Sequence, residues 1–148
     1  MNISIAPMAI SDYDAVHTLW LSCAGMGLND IDDSKAGIDK FLQRNPKTCF
    51  VATHDEQVVG VILSGHDGRR AYIYHLAVAP THRRQGIATS LVDKVIQALD
   101  KIGISKVALV VFDDNHAGNA FWQNQGFDER TDLVYRDKNL VKLVRMDT

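Results

Sequence analysis

The stretch Leu76-Ala77-Val78-Ala79-Pro80-Thr81-His82-Arg83-Arg84-Gln85-Gly86-Ile87-Ala88-Thr89 constrains this chain most, because it joins a strand to an amphipathic helix through a basic, glycine-containing turn. Upstream, Ala71 to Val78 is rich in aromatic and β-branched residues and stops at Pro80, which has no N–H for a ladder and biases Ala79 away from helix. Downstream, Ala88, Leu91, Val92, Val95, Leu99 and Ile102 recur at helical spacing, and Gly103 supplies a C-terminal stop. The first N–H groups of such a helix have no intrahelical partner, and its macrodipole favours negative charge there. An anion belongs at that end. Arg83 and Arg84 add positive charge, and Gly86 leaves the main chain open to a phosphate.

Val107 to Phe112 is a second apolar run of strand length, followed by Asp113-Asp114-Asn115 and a short helical stretch through Phe121 and Trp122 to Gly126-Phe127. Strand, turn, helix, strand is a βαβ unit, so the two strands should lie parallel in one sheet. Neither the Gly-x-Gly-x-x-Gly fingerprint nor the Gly-x-x-x-x-Gly-Lys-[Ser/Thr] loop is present. Arg83-x-x-Gly86-x-Ala88 instead resembles the Gln/Arg-x-x-Gly-x-Gly/Ala signature of the GCN5-related N-acetyltransferases, which binds the pyrophosphate of acetyl-coenzyme A. Asn115 with Ala120-Phe121-Trp122 and Gly126-Phe127 resembles that family's second signature, in which an Asn opens the helix and an aromatic residue precedes a Gly-Phe. Phe121, Trp122 and Phe127 also have a plainer role open to them, as core packing.

Composition narrows the partners. A chain of 148 residues suits one domain with a core that needs no disulfide or metal. Its net charge of −2 supplies no basic field for nucleic acid. No apolar stretch is long enough to cross a bilayer and the N-terminus does not read as a signal peptide, so a cytoplasmic protein is expected. Cys23 shares a helical face with Leu19 and Cys49 sits in an apolar run, which favours two buried free thiols over a bridge. His17, His54, His66, His75, His82 and His116 include no pair at ligand spacing on one expected element, so no metal is expected.

Around the βαβ unit, Ile3 to Ala6 reads as a first strand, and Ser11 can cap a helix whose buried stripe is Ala15, Val16, Leu19, Trp20 and Cys23. Gly25 to Asp33 reads as a loop; Asp33 or Ser34 then caps a helix carrying Ile38, Phe41 and Leu42. Thr48 to Ala52 and Val58 to Leu63 read as strands joined by a polar turn, and runs around Leu133-Val134-Tyr135 and Leu140 to Val144 read as a closing hairpin. This order is similar to the acetyltransferase fold over essentially all of residues 1–148: a single α+β domain, a mixed central sheet flanked by helices.

The resemblance implies roles residue by residue. Leu76, Ala77 and Val78 would bond the pantetheine arm through their main chain. Gln85, Gly86, Ile87, Ala88 and Thr89 would hold the pyrophosphate, with Arg83 and Arg84 at the entrance. Asn115 would touch the pantetheine end and Phe121 would pack against the coenzyme. The implied reaction is direct attack of an amine on the thioester, with a tetrahedral oxyanion held by an N–H near Val78 and the coenzyme leaving as thiolate.

Here the chain departs from the family. Trp122 stands where a tyrosine acid is common, and an indole N–H donates a hydrogen bond but releases no proton. Tyr72 and Val111 stand where some relatives carry a glutamate base. His75, Tyr72 and Tyr74 remain as candidate bases, with strict alternation placing the two tyrosines on one face of the strand and His75 on the other. A structural histidine is the plainer reading of His75. Two alternatives stay open: a cysteine nucleophile, which needs an exposed and activated thiol, and a non-catalytic acyl-coenzyme A sensor.

For the acceptor, Asp30, Asp32 and Asp33 on the glycine-containing loop would draw in a cationic amine, of a small molecule or a peptide, unless Asp32 and Asp33 only cap the next helix and meet solvent. His66 and Asp67 are possible further walls of that cleft. A monomer or a homodimer is expected.

Overall fold

The computed structural model describes residues 2–147. Its elements run β1 (Ser4–Pro7), α1 (Tyr13–Leu21), α2 (Lys35–Arg44), β2 (Phe50–His54), β3 (Gln57–His66), β4 (Ala71–Val78), α3 (Ile87–Ile102), β5 (Val107–Ala108) and α4 (His116–Asn124), with short 3-10 turns at Ile10–Asp12 and Pro80–His82. The strands form one mixed sheet in the order β1-β2-β3-β4-β5, antiparallel until the last pair, which is parallel across the α3 connection. Asp55 and Glu56 join β2 to β3 with φ of 50° and 66°, the two left-handed residues that a two-residue hairpin requires.

Apolar residues fill both sides of the sheet. Tyr13, Val16, Leu19 and Trp20 of α1 with Ile38 and Leu42 of α2 cover Val51, Val61, Leu63 and Ala77. Ile87, Leu91, Val92, Val95 and Leu99 of α3 cover Ala52, Ile62, Ala71 and Ile73 on the other side. Leu91, Val92, Val95 and Leu99 of the stripe read from the sequence are buried in α3, while Ala88 is half-buried, Ile102 is exposed and Ile87 joins the buried face; Gly103 ends the helix at φ 86°. In α1 the expected Ala15 faces solvent and Tyr13 takes the buried place. Among the described residues, no helix is long and apolar enough to cross a membrane.

Two expectations fail at the C-terminal side. The run Val107 to Phe112 pairs only at Ala71↔Val107 and Tyr72↔Ala108, and Val110 and Phe112 are exposed. The closing hairpin does not form: Leu133, Val134 and Tyr135 are exposed and Leu140 is 90% exposed. A strand needs a partner edge, and a β5 of two residues offers almost none. The chain end docks instead on the loop after α1, where Asp30 exchanges bonds with the Val144 backbone and the Met146 N–H donates to the Leu28 carbonyl at 2.9 Å.

Candidate active site

The turn between β4 and α3 is built as the sequence requires. After the 3-10 turn at Pro80–His82, Arg84 (φ 62°) and Gly86 (φ 78°) both take left-handed backbone, and Gly86 is the N-cap of α3. Among the described residues no side chain caps this helix. By contrast, Ser34 Oγ accepts from the Gly37 N–H at α2, and Asn115 Oδ1 accepts from the Gly118 N–H at α4. The first N–H groups of α3 are thus left without a side-chain cap, at a helix end whose dipole favours an anion. Arg83, Arg84 and Gln85 are exposed beside it, while Ile87 is buried in the core and offers the turn only its backbone. The Thr89 hydroxyl accepts from Gln125 Nε2 at 3.2 Å, tying α3 to the end of α4.

Beside this turn the sheet opens. β4 and β5 part after Tyr72↔Ala108, so from Ile73 to Val78 the edge of β4 has no neighbouring strand on that side among the described residues. Backbone groups left unpaired in this way need another partner. At the far end of the opening, the Cys23 thiol donates to the Val78 carbonyl at 3.6 Å and Arg83 Nη2 donates to Cys23 Sγ at 3.8 Å. Cys23 is therefore only partly buried, unlike the expectation; Cys49 is fully buried.

A bulge changes which side chains line the opening. Leu63 pairs with His75 but Ser64 pairs with Ile73, leaving Tyr74 as an extra residue in β4. The strict alternation expected from the sequence is broken there. Tyr74 packs edge-on against Phe41 of α2 and lies 4.7 Å from the Tyr72 ring, while His75 meets Trp20 of α1 at 5.1 Å between centroids. Tyr72, Tyr74 and His75 consequently share the α1–α2 side. Burial, and then neighbouring tyrosines, push the Tyr72 hydroxyl up; burial, then the Asp32 carboxylate, do the same at Tyr74. Both remain protonated donors at neutral pH rather than bases.

His75 has a partner that the sequence reading offered, beside Ser34, as a helix cap or as a carboxylate of the acceptor cleft. Asp33 Oδ1 lies 2.7 Å from His75 Nε2, with side chains 6% and 11% exposed. Ser34 takes the cap of α2, which releases Asp33 for this contact. Asp33 Oδ2 accepts from the Asn29 N–H at 2.9 Å and its carbonyl accepts from the Tyr13 hydroxyl at 2.6 Å. The other aspartates of the loop have local tasks. Asp30 Oδ1 holds the Val144 N–H at 2.7 Å, and Asp32 Oδ2 accepts from Asn29 Nδ2 at 3.1 Å. Asp67 and His66 hold their own turn, Asp67 Oδ1 accepting from the Arg69 and Arg70 N–H groups and His66 Nδ1 from the Gly68 N–H.

Phe121 and Trp122 lie on α4, partly buried against the α3 side of the core, with Trp122 edge-on to both Phe121 and Phe127. Asn115 uses its oxygen for the cap and keeps its Nδ2 donors free of that task. Among the described residues no three His, Cys, Asp or Glu gather as a metal site.

The profile described as Acetyltransferase (GNAT) family matches residues 13–127. Acetyltransferase ECA0875 of Pectobacterium atrosepticum is 31% identical over 131 residues, 88% of this chain and 91% of that protein. Among solved structures, the ribosomal-protein-alanine N-acetyltransferase of Brucella melitensis biovar Abortus 2308 superposes with a TM-score of 0.70 at 21% identity, over 93% of this chain and 99% of that one. The aminoglycoside antibiotic 6'-N-acetyltransferase of Acinetobacter baumannii gives 0.72 at 23% identity, over 95% and 100%.

Proposed function

Since the chain belongs to the acetyltransferase (GNAT) family, with acetyl-coenzyme A as co-substrate, we propose that it transfers the acetyl group directly to a primary amine of a small molecule or a peptide. One observation carries the reading: α3 begins at an uncapped left-handed Gly86, next to Arg83 and Arg84, after the stretch of β4 that β5 leaves unpaired. The residues present fit the coenzyme. Backbone N–H groups from Gln85 to Thr89 would take the pyrophosphate, the two arginines would neutralise it, and the open edge of Leu76, Ala77 and Val78 would pair with the amides of the pantetheine arm. The coenzyme supplies an activated acyl carbonyl with a thiolate leaving group.

The chain's own work is placement and proton handling. An N–H near Val78 would steady charge on the carbonyl oxygen, Tyr72 and Tyr74 would donate hydrogen bonds, and His75 would accept the proton of the amine. Trp122 would support the coenzyme side by packing. Asp32, close enough to Tyr74 to raise its hydroxyl, would favour a cationic acceptor, with Asp30 adding charge to the same loop. The solved neighbours include one enzyme described for a ribosomal protein and one for an aminoglycoside, which supports an amine acceptor of either kind.

Calorimetry with coenzyme A tests the cradle. Gly86→Glu puts a carboxylate and a strained backbone at the anion site, and affinity should fall more than tenfold, or about 1.4 kcal/mol. A folded variant binding as tightly as the parent would place the coenzyme elsewhere. Release of coenzyme A thiol over a panel of amines then identifies the acceptor.

A further inference from the structure

The pairing of Asp33 with His75 leaves one ring nitrogen unexplained. Among the described residues, His75 Nδ1 is buried with no hydrogen-bond partner, and so is the indole Nε1 of Trp20, whose ring stands 5.1 Å away. Buried polar groups are ordinarily paired, so each orphan calls for a reason. Two orphans of opposite character in adjacent rings suggest a common one. If Nε2 carries the proton and donates it to Asp33 Oδ1, Nδ1 is an acceptor beside an indole that can only donate. A single water bonded by both would satisfy the pair. If both ring nitrogens were protonated, two buried donors would stand side by side.

We propose that Asp33 is a positioning residue for the acetyl transfer inferred above: it fixes His75 as the neutral Nε2–H tautomer, so that Nδ1 draws the proton from the amine through one bridging water. The amine nitrogen forms its bond to the acetyl carbon, its proton passes to the water, and a water proton passes to Nδ1. The C–S bond then breaks with its electron pair leaving on the coenzyme A thiolate. Asp33 meets the resulting imidazolium charge without itself taking the proton. This proposal rests on the acetyltransferase reading.

The local geometry makes Asp33→Asn a directed test. Asn29 N–H points at the second oxygen of residue 33 from 2.9 Å, so the amide oxygen must face Asn29 and the amide NH2 must face His75. That NH2 needs an acceptor, which forces the proton onto Nδ1 and turns the proposed base into a donor. Nitrogen-15 NMR of histidine-labelled protein should show a protonated Nε2 and a bare Nδ1 at His75 in the parent, and the reverse in Asp33→Asn. The kcat of the variant should fall roughly 100-fold or more with little change in the KM of either substrate, the scale of a lost general base. His75→Gln, which cannot take the proton, should fall as far. The parent spectrum needs no variant: a doubly protonated or Nδ1–H ring at neutral pH overturns the proposal, as does an Asp33→Asn enzyme with unchanged tautomer or kcat. A parent that acetylates no amine overturns the transfer reading itself, whatever the tautomer.

Discussion

His54 Nδ1 lies 3.0 Å from His82 Nε2, a hydrogen bond between the last residue of β2 and the last residue of the turn before the cradle. The rings meet edge to face, Thr81 Oγ1 bonds the other nitrogen of His82 at 2.8 Å, and Asp55 lies 3.5 Å from the other nitrogen of His54. A bond between two imidazoles needs one donor and one acceptor. It ties the end of β2 to the residue that precedes the Arg83–Gly86 turn.

That tie predicts a non-additive pair. His54→Ala and His82→Ala should each cost about 1 kcal/mol of stability, and the double variant should cost scarcely more than either alone. Urea unfolding gives the cycle, and coenzyme A affinity should weaken in all three variants. Full additivity would show that the contact carries no energy.

The two thiols should differ sharply. Burial pushes Cys49 up to about 12, so almost none of it is thiolate at neutral pH, and iodoacetamide should reach it only after unfolding. Cys23 is partly exposed beside Val78 and Arg83 and should be labelled in the native protein. Coenzyme A should slow that labelling, because Cys23 closes one end of the opening along β4. Peptide mass spectrometry after labelling with and without coenzyme reads both outcomes.

Tyr13 sets an alkaline limit. Burial, then the charges of Asp33 and Asp14, raise its hydroxyl above the ordinary value of about 10. The native state therefore keeps the phenol proton where the unfolded chain loses it. The contribution is complete below about pH 10 and disappears as pH rises through the native value. Denaturation midpoints should fall on that limb, and Tyr13→Phe should flatten it while costing about 1 kcal/mol at neutral pH for the lost bond to the Asp33 carbonyl.

Trp122 should behave as packing. Its ring sits edge-on to Phe121 and Phe127, so Trp122→Phe should reduce turnover only a few-fold, by the scale of one aromatic contact of about 1 kcal/mol, and Trp122→Tyr should be tolerated. A loss of several orders of magnitude in a folded, coenzyme-binding Trp122→Phe would assign it a part in the chemistry.

The sequence by itself determined what is local. Pro80 ends β4, Gly86 supplies the left-handed cap, the spacing of Leu91, Val92, Val95 and Leu99 makes one buried face, and Asn115 opens α4; each follows from backbone sterics and periodicity within a few residues. Only the tertiary structure decided the rest. Strict alternation separated Tyr74 from His75 because a bulge depends on the register of the neighbouring strand, which no local pattern states. Asp33 looked like a cap because its partner is 42 residues away, and His54 and His82 looked unrelated because they meet only when β2 and the cradle turn are brought together. The apolar runs at Leu133 and Leu140 promised strands, yet a strand is a relation between two segments, and the short β5 leaves that relation without its second member.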